Sequence, residues 1–122
     1  MILNPHALPK IRSEILLREC ANMPCELRLA GFVGMQCEPQ NTVVGCHLPT
    51  IGKGTGTKVS DLFVSAGCRL CHSLLDMDDR RGMIIRERYP SAFMQQIMRA
   101  NHATISRWVI AGLIEVKGAD LV

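Results

Sequence analysis

Residues 68–72 read CRLCH, and the chemistry given to this pentapeptide decides how the rest of the chain is understood. A CxxC turn offers two thiolates from one short stretch, half of a tetrahedral zinc site. CxxCH is also the pattern of covalent haem attachment, and CxxC at a helix start suits a redox dithiol. Haem attachment requires an oxidising compartment and leaves the other four cysteines without a role, so no haem is expected. The dithiol reading makes no use of His47, His72 or Asp76, and the chain lacks a clear βαβ order. Zinc uses more of the sequence. Cys25 and Cys37 flank the segment CELRLAGFVGMQC and, with Cys68 and Cys71, complete four soft ligands; Cys20 and Cys46 are then spare thiols. The competing reading is that these are ordinary buried thiols, since free cysteine behaves as a small hydrophobe.

A small chain has reason to carry such a centre. At 122 residues it buries about two thirds of its unfolded surface, and structural zinc contributes folding energy directly. Hydrophobic residues make up 48% but aromatics only 4%, so the core must be built from Leu, Ile, Val and Met around Trp108. Six cysteines in an exported chain would suggest disulfides. Here Pro5, His6 and Pro9 interrupt the first residues and charges follow at once, so no secretory signal is expected. No apolar run is long enough for a membrane span. The expected location is the cytoplasm, where thiols serve as metal ligands.

Along the chain, residues 1–12 read as an irregular arm and 13–122 as one domain. Ser13 is a suitable N-cap for a short helix over EILLRECANM, ended by Pro24. The stretch between Cys25 and Cys37 fits a short hairpin or knuckle. TVVGCHL, with its β-branched residues, reads as a strand, PTIGKGTGTKVSD as a loop and LFVSAG as a second strand. The loop lacks the spacing of a phosphate-binding P-loop. A helix from Leu70 to about Asp78 follows. Phe93, Met94, Ile97, Met98, Ile105, Trp108, Val109 and Ile110 recur at helical spacing after Pro90, predicting a long packing helix stopped at Gly112. LIEV reads as a short final strand.

The histidines fall at telling places in this order. His47 ends the first strand, and His72 starts the helix after the second. Asp76 lies four residues beyond His72 and therefore on the same helical face. A proton-accepting histidine opposite a His/Asp pair able to hold a divalent cation is what phosphodiester hydrolysis requires. Each histidine taken singly is equally compatible with a structural role.

The combination GCHL…SDLFVSAGCRLCHSLLD resembles the HNH, or ββα-metal (His-Me finger), endonucleases. Within that group CELRLAG…C, TVVGCHL, GTGTKVSDL and CRLCHSLLD are most similar to the YbcO-like nuclease family of lambdoid phages and prophages, over about residues 18–116. The resemblance implies an α+β fold: a zinc-stapled ββα-metal core with an N-terminal helix and a long C-terminal packing helix. It implies a metal-dependent DNA endonuclease serving phage DNA processing or recombination. His47 corresponds to the general base. Asp61, opening the second strand, lies near the asparagine that orients that base. His72 corresponds to a ligand of the catalytic Mg²⁺ or Mn²⁺, with Asp76 as second ligand or support. Cys25, Cys37, Cys68 and Cys71 correspond to the structural Zn²⁺ site. One departure stands out: many members carry Asp directly before the first histidine, and here that position is Cys46. The alternative is a zinc-stabilised DNA-binding or recombination-accessory module with a vestigial nuclease centre; a third is a zinc-bound interaction protein.

A formal charge of +3 permits a polyanionic partner. Lys53 and Lys58 in the loop, with Arg69, Arg80, Arg81, Arg86 and Arg88 around the short helix, are the expected backbone contacts to DNA, which carry little sequence preference. The bland reading of DMDDRRGMIIRER is a solvated segment whose aspartates balance its arginines. No aromatic platform exists for stacking single-stranded bases.

Overall fold

The computed structural model describes residues 9–49 and 59–122. Among them, α1 spans Glu14–Glu19, β1 Val44–His47, β2 Val64–Gly67, α2 Arg69–Leu75, α3 Arg81–Arg88 and α4 Pro90–Ile110. The architecture is mixed α+β. None of these helices is long and apolar enough to cross a membrane.

Ser13 starts α1 as its sequence suggests. Its extended backbone places the hydroxyl to accept the Leu16 N–H at 3.2 Å, relieving one of the unpaired donors of the first turn. The helix then tightens into a 3₁₀ turn over Cys20–Asn22. Between Cys25 and Cys37 there is no hairpin. That segment folds as a 3₁₀ turn over Ala30–Val33, because Leu27, Leu29 and Ala30 are all drawn into the core, which a half-exposed hairpin would not allow.

β1 and β2 pair antiparallel, with Val44 opposite Gly67 and His47 opposite Val64. Side chains alternate across a strand, so Gly45 and His47 share one face and Cys46 takes the other. A Cβ at Gly45 would touch Leu17 and Cys20, which identifies the His47 face as the one turned to α1. β2 is buried along its whole length. Its outer edge, away from β1, is satisfied by side chains and loops. The Glu26 and Leu27 N–H groups donate to Ala66 O at 2.9 and 3.1 Å. Asn101 of α4 donates to the Leu62 and Val64 carbonyls, and Ala66 N–H donates to Thr104 Oγ1.

α4 follows the expected periodicity, with Phe93, Ile97, Ala100, Thr104 and Trp108 on its buried stripe. Trp108 is fully buried, and its indole N–H donates to Leu16 O at 2.9 Å, tying the last helix to the first. Gly112 has φ +76°, the left-handed conformation that ends the helix. LIEV, at residues 113–116, follows as a bend and irregular chain and is not a strand. α2 is shorter than expected, ending at Leu75. α3 has no counterpart in the local sequence pattern: only Gly82 and Ile85 of it are buried, leaving a charged sequence with no apolar stripe. It is held instead by Arg86, which donates to Leu75 O at 2.7 Å and lies 5.0 Å over the Phe93 ring.

Candidate metal centre and candidate active site

The four cysteines expected to bind zinc converge. The Sγ atoms of Cys25, Cys37, Cys68 and Cys71 all lie within 4.8 Å of one another. Cys68 is the N-cap of α2 and Cys71 sits in its first turn, while the knuckle carrying Cys25 is pinned to β2 through the Ala66 carbonyl. All four are free thiols. The Cys37–Cys71 sulfur separation is 3.8 Å. That is far beyond a disulfide bond and matches the edge of a tetrahedron with metal–sulfur bonds of about 2.3 Å, which is about 3.8 Å. The Glu38 N–H donates to Cys68 Sγ at 3.3 Å, the kind of outer bond that steadies a metal-bound thiolate. The donor set and spacing fit a metal ion such as zinc.

The thiols already differ in acidity. Hydrogen bonding from Cys71 draws the Cys25 thiol down to about 5 against its burial, helped by the backbone N–H groups of Cys68 and Arg28. The same bond raises Cys71, and burial pushes Cys37 up to about 11. Within the cluster, proton sharing thus favours the thiolate on Cys25 over Cys71.

His47 ends β1, half-exposed, and its Nε2 lies 2.8 Å from Asp61 Oδ1. Asp61 precedes β2 in a turn and does not open the strand, which begins at Val64. It is buried. Burial raises its carboxyl, but hydrogen bonds from His47 and the Ser13 N–H, with the charges of His47 and Arg12, bring it below the ordinary value. An ionised carboxylate only accepts, so Nε2 carries a proton, and in the neutral tautomer that leaves the lone pair on Nδ1. Nδ1 has no hydrogen-bond partner among the described residues.

The end of the N-terminal arm, which has no regular secondary structure over residues 9–12, reaches this site. Ile11 N–H donates to Ser60 Oγ, Asp61 N–H to Ile11 O, and Arg12 to Val59 O. Ser13 N–H reaches Asp61 Oδ2 at 2.7 Å. Ser13, whose sequence context marks only a helix cap, thus also fixes Asp61. Their 48-residue separation leaves no local signal of it.

His72 Nε2 lies 3.1 Å from Asp76 Oδ2 on the face of α2. No hydrogen bond or ion pair joins this pair to His47 and Asp61. Among the described residues the cysteine cluster is the one group of three or more such ligands that converges; His72 and Asp76 offer two donors. Cys46 is fully buried on the opposite strand face, and its thiol is pushed up by burial first and by the charge of Asp76 next. A protonated, enclosed thiol does not replace a metal-binding aspartate.

The basic residues expected to contact DNA differ in their surroundings. Lys53 and Lys58 lie outside the described residues. Arg69 is bound to Glu38 at 2.6 and 2.9 Å, and Arg81 to both oxygens of Asp79 at 2.7 and 3.0 Å. That pairing holds the Asp79 carboxyl down to about 2. Arg86 is turned inward, toward Leu75 and Phe93. Arg80 is exposed, with no protein partner among the described residues.

The chain was compared with protein-family models, curated proteins and solved structures, and none of the three gives a match.

Proposed function

We propose that this chain is a metal-dependent endonuclease that hydrolyses DNA phosphodiester bonds, with Zn²⁺ held by Cys25, Cys37, Cys68 and Cys71. The observation that carries the reading is the His47–Asp61 pair, a general base held in one tautomer by a buried carboxylate. His47 Nδ1 takes a proton from a water molecule as the water oxygen attacks phosphorus. The bond to the leaving oxygen breaks, and that oxygen is protonated from solvent. Asp61 holds the ring and stabilises the imidazolium that forms, as the carboxylate of a catalytic triad does. His72 and Asp76 are the candidate ligands of a catalytic Mg²⁺ or Mn²⁺. Bound there, such an ion neutralises charge on the phosphate and the leaving oxygen. Two protein donors suffice for Mg²⁺, which keeps several waters and takes further ligands from phosphate.

A second reading is favoured by Cys46. With a buried thiol in place of the usual aspartate, the centre has one carboxylate fewer, and the protein would bind DNA without cutting it. Incubating plasmid and branched DNA with the protein in Mg²⁺ or Mn²⁺ separates the two. Cleavage that His47→Ala removes supports the nuclease; DNA binding without cleavage in either metal supports the binding module.

A further inference from the structure

Glu26 is 2% exposed, yet three arginines close on its carboxylate: Arg28 two residues away, and Arg99 and Arg107 from the distant helix α4. Arg107 Nε donates to Oε2 at 2.8 Å, Arg28 donates to Oε1 at 3.2 Å, and an Arg99 nitrogen lies 3.6 Å from Oε1. Arg99 also donates to the Glu26 carbonyl at 2.6 Å and to Gln96 Oε1 at 3.1 Å. One buried carboxylate cannot neutralise three guanidiniums, so two positive charges remain in excess. The arginine side chains are 58%, 41% and 43% exposed for Arg28, Arg99 and Arg107, so each keeps donors open to solvent.

The geometry points to a phosphate-backbone docking surface for nucleic acid made by Arg28, Arg99 and Arg107 around Glu26. It rests on the reading of DNA as the substrate and replaces Arg69 and Arg81, whose charge Glu38 and Asp79 already absorb. A free arginine loses rotamer freedom when it grips an anion, whereas these three are already held by Glu26, so binding costs less. Arg99 and Arg107 are eight residues apart on α4, about 12 Å of helix. Their stems start from two sides of the carboxylate and their guanidiniums converge on it, which concentrates the excess positive charge at one place on the surface. Ala103, midway between them, adds no bulk on that stripe.

The test is binding of a labelled duplex of about 20 base pairs, measured across salt without added Mg²⁺ or Mn²⁺, so that no cleavage is needed. Arg99→Gln combined with Arg107→Gln should flatten the log–log salt dependence by up to about two units, roughly 0.9 for each phosphate no longer neutralised. Arginine-selective dicarbonyl labelling of the unaltered protein needs no substitution. DNA should protect Arg28, Arg99 and Arg107, while Arg69 and Arg81 keep their reactivity. No binding at low salt, or three arginines still labelled in the complex, overturns the proposal; so does a folded double variant with the parent's affinity and slope. If this pattern appears but no cleavage follows when metal is supplied, the docking surface stands and the nuclease reading falls.

Discussion

One oxygen of Asp61 lies 2.8 Å from His47 Nε2 and the other accepts the Ser13 backbone N–H at 2.7 Å. Both oxygens are therefore engaged by residues far apart in sequence, and the His47 ring cannot turn without breaking a bond to a buried charge. Asp61→Asn keeps the shape but not the charge. The amide can donate to Nε2 and move the proton to Nδ1, the nitrogen assigned as base. Cleavage should fall by a factor of about 10²–10⁴ with the fold retained, as circular dichroism beside a single-turnover assay would show.

The same carboxyl sets a pH dependence of stability. Asp61 is held below its ordinary value, so the folded protein binds fewer protons at this group than the unfolded chain. Its stabilisation is whole above the unfolded value of about 3.9 and is lost as pH falls through the lower folded value. Urea denaturation should find Asp61→Asn less stable near neutrality by about 1.5–3 kcal/mol, the worth of hydrogen bonds to a charged group. The gap should close as pH drops below about 4. A gap of constant size would mean that the charge is not what stabilises.

Metal loading should release protons. Cys37 and Cys71 are raised, and both must lose their protons to become ligands, while Cys25 is lowered by the hydrogen bond from Cys71. Zinc affinity should therefore climb with pH. Calorimetry in buffers of differing ionisation enthalpy should register the protons released by Cys37 and Cys71. Cys71→Ser should lower both zinc content and melting temperature.

Gly82 is where α3 crosses α2, and a Cβ there would run into the Leu74 carbonyl. Because the obstacle is backbone, one helix must move. Gly82→Ala should cost about 1–3 kcal/mol, as overpacking does, read by thermal or chemical denaturation. The shift bears on the α2 helix that carries His72 and Asp76, so cleavage should become more dependent on added Mg²⁺ or Mn²⁺.

Much of this layout is legible in local sequence. Ser13 before an apolar-periodic run marks α1, β-branched residues beside His47 mark β1, and the stripe from Phe93 to Trp108 marks α4. The CxxC pair identifies two members of the cysteine cluster, and Cys25 and Cys37 are marked as the other two by flanking the segment CELRLAGFVGMQC. What local pattern misses is held by distant partners. α3 has no apolar face and depends on Arg86 reaching Leu75 and Phe93. The 3₁₀ turn at Ala30–Val33 arises because tertiary burial outweighs strand alternation. Glu26 meets Arg107 across 81 residues, and Ser13 meets Asp61 across 48; neither pairing leaves a periodicity to detect.

The most direct test of the central claim is the single-turnover rate of DNA cleavage in Mg²⁺ or Mn²⁺ by the unaltered protein and by His47→Ala, with zinc content measured on both. His47 is not among the cysteine ligands, so the variant should hold as much zinc and remain folded. Its rate should be lower by a factor of about 10²–10⁴, the usual worth of a positioned base. Equal rates for the two proteins, or cleavage by neither, would contradict the account.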